Sequence, residues 1–251
     1  MLVREARKSD KRAVAEFACK TWRPGDFIVT MWDEWLKNPR GKIFIAEEKG
    51  SPIGIAYVEV REGGEAYIRG TRVHPDYRGK TERILTEKCL DYALSMEAKS
   101  ARVAITPGSQ AAIKLVEELG FEVKCGFAEV VANPKKTGET KGVSLLTAYE
   151  AERAYDIIVK AEGEMPICFK HYSWTTLTLE ELKSYCEEGF AAKHGDIDGV
   201  ALYNIAGNDY TYIMLDLICG DREAAKQLGL HLRHEASYFY CEEVWGYARV
   251  D

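Results

Sequence analysis

Val73-His74-Pro75-Asp76-Tyr77-Arg78-Gly79-Lys80 is the stretch on which the reading of this chain turns. Before it, Glu65 to Val73 reads as a long strand. After it, Glu82 to Met96 reads as a helix with Ile84, Leu85, Cys89 and Ala93 on one face. The stretch is therefore a strand end, a loop and a helix start. Such a junction presents unpaired backbone N–H groups at the positive end of a helix dipole, which suits an anion. Arg69, Arg72, Arg78, Lys80 and Arg83 surround it, against only Asp76 and Glu82. In a chain of net charge −6 this is a local reversal of sign.

The flanking elements follow in order. Residues 2–6 read as a short strand, and Asp10 as the cap of an amphipathic helix carrying Val14, Phe17 and Ala18. A Pro24-Gly25 loop precedes a second helix, Thr30 to Lys37. A hairpin follows, Lys42–Glu47 and Ile53–Val60, turning at Lys49-Gly50-Ser51-Pro52. Beyond the first helix after the loop come a strand, Ala101–Ile105, and a helix from Ser109 to Leu119 that Gly120 ends. Phe121 opens a further strand. This order predicts an α+β fold in α/β/α layers, with a mixed, mostly antiparallel sheet.

The polar segment Asn133 to Gly142 reads as a linker. It sets the expected domains at 1–142 and 143–251. The second half repeats the order: Phe190 to Ile205 echoes Phe44 to Val60, and an offset of 145 places Tyr212 over Tyr67 and Ile218 over Val73. We read a degenerate second copy, shortened at its C-terminus, with an uncovered sheet edge. At that offset Glu65 becomes Tyr210 and Arg78 becomes Glu223, so the second copy lacks the basic loop.

Composition narrows the class. The chain is 251 residues, 46% hydrophobic and 29% charged, with seven Cys. That excludes disorder, and the odd, sparse Cys argue against a disulfide scaffold. The most apolar run, Ile213 to Cys219, carries Asp216 and is far below the ~20 residues of a spanning helix. Net acidity excludes a general nucleic-acid binder. The N-terminus lacks the apolar core of a signal peptide. The expectation is a cytoplasmic monomer or homodimer without membrane or nucleic-acid partners. No C-x-x-C occurs, and His231 with His234 lacks a third ligand, so no metal is expected.

The quoted stretch, with the helix after it, resembles the acetyl-CoA pyrophosphate loop of the GNAT superfamily of N-acetyltransferases. The hairpin, the long fourth strand and Ala111 to Phe121 fall in that family's order, and the resemblance covers residues 1 to about 147. It implies acetyl-CoA as co-substrate, bound by Arg72, Val73, Arg78, Gly79, Lys80, Thr81, Arg83 and Ser109. It implies acetyl transfer to a primary amine of a small molecule or peptide by direct attack, with Glu65 as base. The amine must be neutral to attack, and a free alkylamine has a pKa of about 10, so a proton acceptor is needed. The sequence departs from the family at Thr81, Glu82 and Arg83, where the later loop glycines stand. It departs again at Val116 for a frequent Tyr, and at Ser109 for a frequent Asn. Those losses motivate an alternative, a non-catalytic acyl-CoA-binding or sensing protein.

The segment from Trp22 to Trp35 lines the acceptor side in that fold. Trp32 and Trp35 share a helix face, and with Asp26 they read either as core or as an aromatic-walled pocket for a cation. His171, Tyr172 and Trp174 are candidates for covering that side.

Overall fold

The computed structural model describes residues 1–21, 26–136, 140–170, 173–207 and 210–250. The expected acceptor residues Trp22 to Gly25, His171 and Tyr172 lie outside the described residues. The chain divides into two compact units, Met1–Glu122 and Val123–Asp251.

The first unit runs β1 (Leu2–Glu5), α1 (Lys11–Thr21), α2 (Phe27–Lys37), β2 (Gly41–Glu48), β3 (Ser51–Val60), β4 (Glu65–Val73), α3 (Lys80–Ser95), β5 (Ser100–Val103) and α4 (Gln110–Glu118). Its sheet has the order β1-β2-β3-β4-β5, antiparallel until β5 pairs parallel with β4. Alternation along the central strands feeds two cores. Ile43, Ile45, Ile55 and Tyr57 meet Val14, Phe17, Ile28, Trp32 and Trp35 of α1 and α2. Phe44, Ala56, Val58, Ala66 and Ile68 meet Leu85, Cys89 and Ala93 of α3. Buried residues of α2 recur at Ile28, Trp32 and Trp35, and those of α3 at Leu85, Cys89 and Ala93, the spacing of one helix face. Burying each large apolar side chain contributes roughly 1.5–3 kcal/mol.

Several expected boundaries move. Asp26 accepts from the Ile28 N–H at 3.2 Å and caps α2, which starts at Phe27 rather than Thr30. Asp10 does not cap α1. It closes a single turn at Lys8–Asp10, accepting from the Arg7 N–H at 2.7 Å and from Arg4 at 2.8 and 2.9 Å.

The second unit runs β6 (Gly126–Ala132), β7 (Val143–Leu145), α5 (Ala151–Glu162), β8 (Ile167–Lys170), β9 (Ser173–Thr176), α6 (Leu179–Glu188), β10 (Ala191–His194), β11 (Gly199–Ala206), β12 (Tyr212–Gly220), α7 (Arg222–Tyr238) and β13 (Glu243–Val250). Its main sheet has the order β6-β13-β12-β11-β10-β7. From β7 to β13 it repeats the plan of the first: three antiparallel pairings, then a parallel one. No strand begins at Phe121. The next strand is β6, and it pairs along β13 from Ala132↔Val244 to Gly126↔Val250. That pairing draws β6 into the second unit, ahead of the linker at Asn133, and covers the edge that the shortened repeat was expected to leave open.

Strand register also replaces the constant offset. The parallel ladder starts at Glu65↔Ser100 in the first unit and at Tyr212↔Glu243 in the second, so Tyr212 stands where Glu65 does. The β8–β9 hairpin was not anticipated. Its Phe169 and Trp174 pack on Tyr247, with ring centroids 4.7 and 5.0 Å away.

Candidate active site

The site is built by a strand that loses a neighbour. β5 pairs with β4 only from Glu65↔Ser100 to Ile68↔Val103. From Arg69 to Val73, β4 keeps β3 alone, and the sheet opens. The His74 N–H donates to the Ile53 carbonyl at 2.7 Å, and Gly54 faces Val73 in the next register position. Hydrogen-bonded and non-bonded pairs alternate in an antiparallel ladder. Val73 therefore turns its N–H away from β3, toward the side where β5 has ended.

A bulge between Ile55 and Tyr57 lies beside the opening. Gly70 sits there with φ +67°, and a Cβ on it would stand 2.7 Å from the Trp35 ring. Trp35 stacks flat on Tyr57, centroids 4.3 Å apart. Trp32 and Trp35 are fully buried, and their indole nitrogens have no hydrogen-bond partner among the described residues. The structure thus places both tryptophans in the core rather than on a pocket wall. Asp26 is likewise engaged. Its Oδ2 accepts from Arg72 Nε at 2.7 Å and its Oδ1 from Arg72 Nη2 at 3.4 Å. The residue expected to hold the acceptor and one expected to hold the cofactor hold each other, and they fix the start of α2 to the open half of β4.

The loop after β4 is held by its own polar groups. His74 Nδ1 accepts from the Asp76 N–H, and Thr81 Oγ1 donates to the Tyr77 carbonyl at 2.6 Å. Gly79, at φ +101°, precedes the first residue of α3, and its N–H donates to Glu82 Oε2 at 2.6 Å. Arg78 and Lys80 are exposed beside it. Thr81 is buried with its hydroxyl spent on the loop. Arg83 is tied to Glu118 on α4 and reaches Glu87 at 3.8 Å. Ser109 opens α4, with its Oγ 3.0 Å from Thr106 Oγ1. No residue of α4 is buried, and Ile113 and Val116 are half-exposed.

Glu65 lies at the closed end of β4. Arg102 donates to its Oε2 at 2.6 and 3.2 Å, and Arg61 to its Oε1 at 3.4 Å. Alternation puts Glu65, Tyr67 and Arg69 on one face. The Arg69 guanidinium lies 5.3 to 5.8 Å from the rings of Trp35, Tyr57 and Tyr67, with Glu59 at 3.8 Å. Burial, with the Glu59 charge, pushes the Tyr57 hydroxyl well above its ordinary pKa. Sequence reading missed Glu59, Arg61 and Arg102 and grouped Arg69 with the loop; the strand's period of two was the signal that could have joined them.

The family comparison settles what kind of domain this is. The acetyltransferase (GNAT) family model matches residues 5–121. The chain carries a GNAT domain. A search of curated proteins finds no match. Among solved structures, a GCN5-related N-acetyltransferase from Sphaerobacter thermophilus is 16% identical, aligns over 100% of this chain and 87% of its own, and has a TM-score of 0.65. An acetyltransferase candidate from Thermoplasma acidophilum is 16% identical over 99% and 91%, with a TM-score of 0.60. An aminoglycoside N-acetyltransferase solved with CoA is 18% identical over 49% and 92%, with a TM-score of 0.42. The first two likenesses extend the GNAT-type fold over both units. Among the described residues, no group of His, Cys, Asp or Glu could hold a metal, and no helix is long and apolar enough to cross a membrane.

Proposed function

We propose that the first unit transfers the acetyl group of acetyl-CoA to a primary amine of a small molecule or peptide. The observation that carries this reading is the coincidence of the open half of β4 with the basic loop that starts α3. The opening takes the pantetheine arm, and its thioester carbonyl accepts from the Val73 N–H. Arg78, Lys80 and the first N–H groups of α3 hold the pyrophosphate. The amine nitrogen attacks the carbonyl carbon, a C–N bond replaces the C–S bond, and the thiolate leaves. The amine's proton passes to water in the opening, and the thiolate takes a proton back from solvent.

Glu65 has a different role in this scheme from the one expected. Its oxygens serve Arg61 and Arg102, so it positions those guanidiniums. Measuring kcat/KM against pH for Glu65→Gln decides the matter. A positioning role lowers activity and leaves the shape of the profile alone. Loss of the acidic limb returns the base to Glu65.

Glu82 favours a second reading, acyl-CoA sensing without turnover, because it occupies the Gly79 N–H. Titration calorimetry with acetyl-CoA, followed by thiol release with a panel of amines, separates the two. Binding with no thiol release from any amine supports the sensor. No binding at millimolar acetyl-CoA removes both. Arg78→Glu should weaken CoA by about tenfold or more and leave pantetheine, which lacks the pyrophosphate, unchanged. Equal weakening of both contradicts the loop assignment.

A further inference from the structure

The second unit has an opening of its own. β13 pairs with β12 only from Tyr212↔Glu243 to Leu215↔Gly246, after which β13 continues against β6 alone. The first residue of β12 past the ladder is Asp216, which also marks a bulge against β11. It is 2% exposed. Its Oδ2 accepts from the Tyr185 hydroxyl at 2.6 Å and from Asn204 Nδ2 at 2.7 Å, and its Oδ1 has no hydrogen-bond partner among the described residues. Asp216 lines a small cavity with Glu162, Arg249, Tyr247, Phe127 and Ile167. The cavity's free volume is about 10 Å³, the room for one water-sized group, and it is open on one side.

Charge and shape say what that group is. Arg249 is already paired with Glu162 at 3.0 Å, which leaves Asp216 as the uncompensated charge of the lining. Tyr247, Phe127 and Ile167 make the rest apolar and aromatic. The corresponding position of the first unit, one residue past its own parallel ladder, is Arg69. The two openings thus carry opposite charges at the same place in the same plan. A buried carboxylate oxygen without a donor is costly, and a cavity with room for one water-sized group cannot admit a hydrated metal ion.

We propose that the opening of the second unit binds a primary alkylammonium group, whose nitrogen enters the cavity and donates to Asp216 Oδ1 while its alkyl chain leaves by the open side. The site needs nothing from acetyl transfer in the first unit. The charged or titratable groups around the carboxyl are Glu162 of α5, Lys170 of β8, Tyr185 of α6 and Arg249 of β13. Burial outweighs the Tyr185 and Asn204 hydrogen bonds and the Lys170 charge, and pushes the Asp216 carboxyl up to about 7. Ammonium binding requires the ionised form.

The test is calorimetry of the full chain with n-butylammonium chloride, with butan-1-ol as the uncharged match. Saturable butylammonium binding at pH 8, none by butan-1-ol, and at least about tenfold weaker binding by Asp216→Asn support the site. Affinity of the unmodified chain should also fall by about tenfold per pH unit below 7. That series stands alone if the variant fails to fold. No saturable binding, which leaves the cavity to water alone, overturns the proposal. So does equal binding by Asp216→Asn, or an affinity indifferent to pH.

Discussion

Glu82 does two jobs that pull against each other. Its carboxylate takes the Gly79 N–H at 2.6 Å and so closes the start of α3. It also sits where the proposed pyrophosphate needs that donor, and carries the wrong charge for the neighbour. Glu82→Ala should tighten CoA by about tenfold, worth about 1.4 kcal/mol, and cost about 1 kcal/mol of stability through the lost cap. Calorimetry with CoA beside a thermal melt reads both, and unchanged or weaker CoA binding refutes the conflict. Arg72 and Asp26 make the opposite case, two residues whose expected binding roles yield to mutual structure. Their side chains are 12% and 2% exposed, so truncating one strands the other. Arg72→Met should destabilise by about 3 kcal/mol, and adding Asp26→Asn should restore part of it. A chemical-denaturation cycle measures the coupling; strictly additive losses would show that the pair contributes nothing.

Among elements, β4 is the one on which the first unit depends, and its bulge is the weak point. Gly70 needs a positive φ and has the Trp35 ring pressed where a side chain would begin. Gly70→Ala should cost roughly 2–3 kcal/mol from the strained backbone and the displaced indole together. The denaturation midpoint tests this, and a loss within experimental error would show that Trp35 can retreat. The strand itself was legible, because Glu65 to Val73 alternates and turn residues bound it at both ends. So was α3, whose one-sided apolar spacing is a local feature. What escaped was non-local. Nothing within Gly126–Ala132 announces that its partner is β13, over a hundred residues later. The short strands Ile167–Lys170 and Ser173–Thr176 carry too few residues for a period to show. The aromatic pair Trp32 and Trp35 fits core and pocket equally in the sequence, and only folding, which buries both and stacks Trp35 on Tyr57, puts them in the core. Glu65, too, was legible as a strand residue and not as the partner of Arg102, because that contact spans the turn of a whole β–α–β unit.

At the scale of the molecule, one plan occurs twice with the sign of its opening reversed, and the second opening should leave its mark on stability. The Asp216 carboxyl moves from its ordinary 3.8 to about 7 on folding, chiefly by burial. Between those values the unfolded chain has released the proton and the folded chain still holds it. Stability contributed by this group is therefore full below pH 4, falls as pH rises, and levels off above 7. The drop is on the order of 4 kcal/mol. His231 opposes it, since burial lowers its pKa and its contribution rises with pH. Subtracting the Asp216→Asn stability curve from that of the unmodified chain removes the histidine, which both proteins share. The difference should decline from pH 4 to 7 and then flatten, read by denaturation at a series of pH values. A flat difference would mean that Asp216 titrates normally. The same reasoning joins stability to the proposed ligand. Above pH 7 the folded second unit holds an ionised carboxylate with one bare oxygen, and an alkylammonium bound there stabilises the folded state by mass action. Butylammonium should raise the melting temperature at pH 8 and leave it unmoved at pH 5, where the carboxyl keeps its own proton; equal effects at both would assign the shift to the solvent.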